Sequence, residues 1–267
     1  MKLVTAESSA HWYAADGTPQ HWRDNKSKPG EKRRTTKRDA RKENLYPSVT
    51  TVLDVIRKPQ LEAWKVEQGI LAALTLPRED GEPLDVFARR VAYDAKETSS
   101  KAAEFGTRVH KAIEDWVSTN FEAPDNDIVP ILGKYMDWHD KNIGAVECVE
   151  KRFCNTKDGY AGCIDMIAEY QDRWCVIDFK TQGAKIGKPM VAWDGYGEQL
   201  EAYRRGLCRD DDMGIINVML STNPDDVRIE VIDHTENRDR LWETFQAACT
   251  IWRNLNKFDP RENNGKS

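Results

Sequence analysis

No Cys-x-x-Cys pair occurs in this chain, and no apolar run approaches the ~20 residues that a helical membrane span requires. The six cysteines, Cys148, Cys154, Cys163, Cys175, Cys208 and Cys249, therefore lack zinc-site spacing. Three of them, Cys148, Cys163 and Cys175, sit inside apolar, strand-like runs. They read as reduced thiols packed as small hydrophobes, with no disulfide framework. The opening, MKLVTAESSAHWY, has neither the apolar run of a secretory signal nor the Arg-rich pattern of a transit peptide. A cytoplasmic protein with no membrane partner is expected.

Positive charge is not in excess either. Lys and Arg number 40 against 45 Asp and Glu, a formal charge of −5, so the chain is not coated in basic residues. A local basic groove remains compatible with that balance and could still neutralise phosphates. One concentration exists, from Arg23 to Lys42 (RDNKSKPGEKRRTTKRDARK). It is either a solvated flexible loop or a phosphate-tracking patch. In the second case Arg33, Arg34, Lys37 and Arg38 are the candidate DNA contacts.

The chain is long enough for one large domain or two small ones. HWYAADGTPQHW predicts two short aromatic strands about an Asp16-Gly17 turn, followed by the basic stretch as a loop. YPSVTTVLDVI offers Ser48 as a helix N-cap. Pro59 restarts the chain into a helix with Leu61, Trp64, Ile70 and Leu71 among its apolar positions. Helical patterns run from about Leu84 to Val117, the second placing Phe105, Val109, Ile113 and Trp116 on one face. DIVPILGKYMDWHDKN adds a further helix.

The second half changes character. AVECVEKRFC, YAGCIDMIAEY and RWCVIDFKT are three strand-like runs, the last two joined by Gln171-Asp172-Arg173. A helix follows from roughly Val191 to Leu207. GIINVMLST and DVRIEVID are two more strands, and ENRDRLWETFQAACTIWRNL is a closing amphipathic helix. These elements predict an α/β core wrapped by N-terminal helices.

The hairpin of the second and third runs carries the chemistry. It can bring Asp165 and Asp178 together at one end of the sheet. Strand alternation puts Asp178 and Lys180 on one face and turns Phe179 into the core. Two carboxylates gathered there raise each other's proton affinity unless a cation lies between them. A hard divalent ion such as Mg²⁺ would resolve that repulsion, polarise a phosphate and acidify a bound water. Lys180 could orient that water or offset transition-state charge. The bland alternative is a pair of polar strand ends with a surface lysine.

GYAGCIDMIAEYQDRWCVIDFKT resembles the catalytic hairpin of RecB-like nucleases of the PD-(D/E)XK superfamily. The resemblance is nearest to the mitochondrial genome-maintenance exonuclease group and related phage proteins. YPSVTTVL with LEAWK, then FGTRVHKAIE, then GEQLEAY recur in that order, so the likeness spans roughly Tyr46 to Leu207. It implies a restriction-endonuclease-like core, a central mixed sheet flanked by helices, with a helical N-terminal region. It divides the chain into an N-terminal hairpin and basic loop (1–45), a helical region forming a DNA channel (46–143), a nuclease core (144–258) and a polar tail (259–267).

The resemblance also implies roles. Asp165, Asp178 and Lys180 would be catalytic, with Gln199 and Tyr203 organising the site. His110, Asp165, Asp178 and the Phe179 carbonyl would bind Mg²⁺ or Mn²⁺. Glu150, on the upstream strand, and Glu114, one turn after His110, are secondary candidates. Alone, His110 would read as a structural helical histidine. His11, His21, His139 and His234 match nothing and read as surface residues. Some RecB-like nucleases hold an iron–sulfur cluster by cysteines clustered C-terminally. Only Cys249 lies beyond Cys208 here, so no such cluster is expected.

No Gly-x-x-x-x-Gly-Lys-Ser/Thr motif is present in this sequence, so a helicase–nuclease fusion is not expected. The implied activity is a metal-dependent DNA exonuclease acting from single-stranded ends in replication, recombination or repair. Tyr46, Trp64 and Phe105 are candidates to stack bases. A phage or prophage origin is suggested, in which case the cytoplasm is the host's. Two alternatives stay open: a structure-specific endonuclease of the same fold, and an inactive DNA-binding protein.

Overall fold

The computed structural model describes residues 10–119, 124–208 and 212–262. The elements in chain order begin with β1 (Trp12–Tyr13), β2 (Trp22–Asp24), β3 (Lys32–Arg34), α1 (Lys37–Glu43), β4 (Tyr46–Pro47) and α2 (Val49–Leu53). Three longer helices follow: α3 (Pro59–Thr75), α4 (Leu84–Val117) and α5 (Val129–Asn142). Then come β5 (Ile143–Asn155), β6 (Tyr160–Tyr170), β7 (Arg173–Gln182), α6 (Tyr196–Gly206), β8 (Gly214–Ser221), β9 (Ile229–Asp233) and α7 (Arg238–Asn256).

The main sheet has the order β5-β6-β7-β8-β9 and is mixed. Only the β7–β8 pair is parallel. A parallel pair needs a crossover rather than a tight turn, and α6 supplies it. One face of the sheet packs Ile164, Ile167 and Val176 against Leu200 of α6 and Phe245 and Trp252 of α7. The other packs Met166, Ile177 and Phe179 against Val109 and Ile113 of α4 and Tyr135 of α5. The architecture is thus α/β, with a five-stranded mixed sheet flanked by helices. All eight residues of β8 are buried, which is why that strand reads as an apolar run rather than an alternation. Among the described residues no helix is long and apolar enough to cross a membrane.

Several local expectations need correction. The Asp16-Gly17 turn forms, with Gly17 at φ 85°, but β1 pairs with β4, joining Trp12 to Pro47 and Tyr13 to Tyr46. Across the turn a single bridge, Tyr13 to Pro19, is made, closed by Ala14 N–H to the Thr18 carbonyl at 2.9 Å and Gln20 N–H to the Trp12 carbonyl at 2.7 Å. The basic stretch is a hairpin, Trp22 to Arg34 and Asp24 to Lys32, followed by a helix. Thr36 and Asp39 cap that helix reciprocally, and Asn44 in the left-handed region ends it. Ser48 does cap α2, accepting from Thr51 N at 3.0 Å, although α2 is a single short turn.

α4 runs unbroken through both helical patterns expected there. α6 starts at Tyr196 rather than near Val191, because Gly195 at φ 96° holds a non-helical conformation just before it. Tyr46 is fully buried, so it belongs to the core and offers no surface for a base. α3 packs on α4 and leaves Val66, Ile70, Leu71 and Leu74 exposed. The four unmatched histidines are not free surface residues. His11 stacks on His21 with centroids 4.7 Å apart, and His139 packs edge-on to Trp116 at 4.8 Å. His234 reaches Asn217.

Candidate active site

The β6–β7 ladder ends at the pair Met166 and Ile177. The next pair would be Asp165 and Asp178, and there the strands part. Asp165 Oδ2 instead accepts the Phe179 main-chain N–H at 2.8 Å. The two acids are thereby held at the same end of neighbouring strands.

Asp178 is nearly inaccessible, with 2% of its side chain exposed, and Lys180 keeps 18%. The Lys180 ammonium stands 2.7 Å from Asp178 Oδ2 and 3.0 Å from Oδ1. Gln199 Nε2, from α6, donates to Asp178 Oδ1 at 2.8 Å and to the Tyr203 hydroxyl at 2.9 Å. Gln199 Oε1 accepts from Lys180 at 3.2 Å. The i, i+4 spacing puts Gln199 and Tyr203 on one helical face. Gly162 gives Tyr203 its place, since a Cβ there would sit 2.8 Å from the Tyr203 ring. Phe179 turns away, edge-on to Tyr135 at 5.4 Å and to His110 at 5.9 Å.

His110 comes from α4, and its Nδ1 lies 3.4 Å from Asp165 Oδ2. Glu150 sits in β5 between the paired residues Val149 and Lys151, which face Met166 and Ile164, and so lies beside Asp165. Its φ of 49° is unusual for a residue other than glycine. Such outliers cluster at functional sites. Glu150 Oε2 accepts from the Cys163 thiol at 3.1 Å. Glu114 is placed differently: it pairs with Lys111 one turn back on its own helix, at 3.2 Å.

Burial, then the Asp178 carboxylate, pushes the Asp165 pKa well above its ordinary value. Burial, then the Lys180 ammonium, lowers His110 to about 4, so its imidazole is neutral at pH 7. For Lys180 burial opposes the charge, but Asp178 and Asp165 outweigh it and the pKa is raised. A carboxylate with a raised native pKa stabilises the fold while protonated and penalises it once ionised. Asp165→Asn, assayed with a chelator present, should therefore melt higher than the wild type at pH 8. The gain should vanish below about pH 4, where an unfolded Asp also protonates. Equal melting temperatures at pH 8 would contradict the origin given for the shift.

The site opens on a cleft of about 1010 Å³. Leu61 and Trp64 of α3, Phe105 and His110 of α4, and Phe179 and Lys180 of β7 line it, together with Lys185, Lys188, Trp193 and Tyr196. Trp64 and Phe105 are half-buried and face this space. Lys180 also stands over the Tyr196 ring, 4.9 Å from its centroid.

The basic segment is largely occupied within the protein. Arg33 pairs with Asp39 at 2.6 Å, Arg34 lies 4.4 Å over the Trp22 ring, and Lys37 donates to Asn256 at 2.8 Å. Arg38 is exposed.

Asp165, Asp178, His110 and the Phe179 carbonyl are the donors available to a cation here. Among the described residues no three His, Cys, Asp or Glu side chains form a ready cage. Asp178 spends its oxygens on Lys180, Gln199 and Asn217. The donor chemistry still suits a hard divalent ion, because a cation would relieve the like-charge repulsion that raises Asp165.

Two further residues join this constellation: Asn217, which no sequence pattern singled out, and His234, expected on the surface. Asn217, on β8, stands in register with Asp178 and donates to its Oδ2 at 2.8 Å. His234 lies 2.9 Å behind Asn217. The only cue to Asn217 in the sequence is one amide inside the apolar run GIINVML.

No family model matches the chain. It is similar to an exonuclease. Mitochondrial genome maintenance exonuclease 1 of Homo sapiens is 30% identical over 155 residues, covering 55% of this chain and 39% of that protein. The Mus musculus protein of the same name is also 30% identical over 155 residues, covering 55% and 40%. The chain spans about two fifths of the length of these curated relatives. This similarity supports a relationship to nucleases. A solved structure described as the crystal structure of SSO0001 aligns over 69% of this chain and 85% of that one, at 13% identity and a TM-score of 0.26. That score is too low to argue a shared fold.

Proposed function

We propose that this chain is a metal-dependent deoxyribonuclease that degrades DNA from single-stranded ends, built on a PD-(D/E)XK, restriction-endonuclease-like core of RecB type. The observation that carries the reading is the convergence of Asp165, Asp178 and Lys180 where β6 and β7 part, at the edge of the cleft. Similarity to an exonuclease supports it independently.

In this reading Asp165, Asp178, the Phe179 carbonyl and the neutral imidazole of His110 hold a Mg²⁺ or Mn²⁺ ion. Such an ion polarises the scissile phosphate and lowers the pKa of a water. Lys180 places positive charge beside the phosphate, where negative charge grows in the transition state. Gln199 holds Lys180 and Asp178 in mutual register, and Tyr203 fixes Gln199. Glu150 adds negative potential beside Asp165. In the cleft, Trp64, Phe105 and Trp193 offer faces on which unpaired bases stack, while Lys185 and Lys188 meet phosphates.

The test uses end-labelled linear and circular single-stranded DNA with Mg²⁺, Mn²⁺ or a chelator. Linear DNA should be shortened from an end, circles should persist, and the chelator should stop the reaction. Circles cut as fast as linear strands would sink the end-dependent reading. Undiminished cleavage in chelator would sink the metal.

A further inference from the structure

We propose that His234 is a positioning residue of this site, setting the direction of the Asp178 carboxylate through Asn217. Asn217 is fully buried on β8, opposite Asp178 in the parallel register. Its Nδ2 donates to Asp178 Oδ2 at 2.8 Å and reaches the Asp178 carbonyl at 3.4 Å. The carbonyl only accepts, and Asp178 Oδ2 also faces the Lys180 ammonium at 2.7 Å, so the amide has one admissible orientation. Turned over, it would set its own oxygen against a carboxylate. That orientation turns Asn217 Oδ1 away from Asp178 as a free acceptor, and His234 Nε2 stands 2.9 Å from it, holding the amide from its other end.

Burial holds the His234 pKa below its ordinary value, so the ring is neutral and carries one N–H. The bond to Asn217 assigns that proton to Nε2. The backbone that carries the ring is anchored to β8. His234 N donates to the Ile215 carbonyl at 3.0 Å, and Ile215 N donates to Thr235 Oγ1 at 3.1 Å. Gly197 leaves it room, since a Cβ there would lie 3.2 Å from His234 Nδ1. The chain His234–Asn217–Asp178 thus crosses from the end of β9 to β7 and finishes on the carboxylate that Lys180 and Gln199 also hold. Asn217 stands one step behind the carboxylate and His234 two; partners that bond a metal-binding side chain directly typically carry about 10- to 100-fold in metal affinity or activity.

The nuclease reading is the premise of the kinetic test alone. His234→Gln keeps an N–H donor at similar reach, and His234→Leu removes it. In single-stranded oligonucleotide cleavage, His234→Leu should lower kcat about tenfold or more with little change in KM. His234→Gln should recover most of that loss. Equal loss in both variants would reduce His234 to packing and overturn the proposal.

A second readout needs no activity. The ¹⁵N shifts of wild-type His234 should report the Nε2–H tautomer. The Asn217 side-chain amide should be protected from exchange in the wild type and in His234→Gln. An Nδ1–H tautomer overturns the proposal even if His234→Leu does not fold. A wild-type protein that cuts no DNA overturns the nuclease reading, and the imidazole and amide signals then decide the positioning claim by themselves.

Discussion

Lys180→Ala should cut kcat by about 10²- to 10³-fold, the range lost when one preorganised electrostatic donor is removed from a transition state. DNA binding at low salt should persist, since general attraction between phosphates and basic side chains does not hang on one ammonium. The size of the effect follows from burial. The ammonium touches both oxygens of Asp178 and the amide oxygen of Gln199, in a place where water screens poorly. Lys180→Gln separates charge from hydrogen bonding. It can still donate to Asp178, so it should fold better than Lys180→Ala yet cut as poorly. Single-turnover cleavage and filter binding on the same oligonucleotide measure both quantities. A Lys180→Ala protein cutting within a few-fold of the wild type would remove Lys180 from the mechanism.

The largest loss of stability is expected from Phe245→Ala, about 3–5 kcal/mol. Phe245 is fully buried on α7, with its ring 4.9 Å from Tyr160 and 5.8 Å from Trp242. Tyr160 in turn donates to the Ala202 carbonyl of α6 at 3.0 Å, so the cavity would open under the helix that carries Gln199 and Tyr203. Against a typical total of about 5–15 kcal/mol, such a loss leaves little margin. Urea denaturation should show a lower midpoint with an unchanged slope. A shift worth less than about 1 kcal/mol would mean that α7 is not the support the packing describes.

Much of the site is written in short-range pattern. Alternation along RWCVIDFKT places Asp178 and Lys180 together and Phe179 opposite, because a strand has a period of two whatever surrounds it. Ser48 as a cap, and the amphipathic stripe that α7 buries through Leu241, Phe245 and Trp252, are equally local. Helix α1 was legible in principle, since Thr36 and Asp39 have capping-box spacing, but the density of charge around them hid it. The partner of β1 was not legible. Two-residue strands carry too little pattern to choose between the near turn and Tyr46–Pro47, and burial of Trp12 and Tyr46 makes that choice.

The sequence by itself determined which side chains of a strand share a face and that Ser48 caps α2, because strand alternation and capping are settled within a few residues. Only the tertiary structure decided that Asn217 stands beside Asp178, that His234 backs Asn217, and that Glu150 and His110 flank Asp165. These neighbours depend on strand order and on α6 carrying the chain across to a parallel β8. That choice is made by burying apolar area on both faces of the sheet, a sum over the whole core that no local run of residues contains.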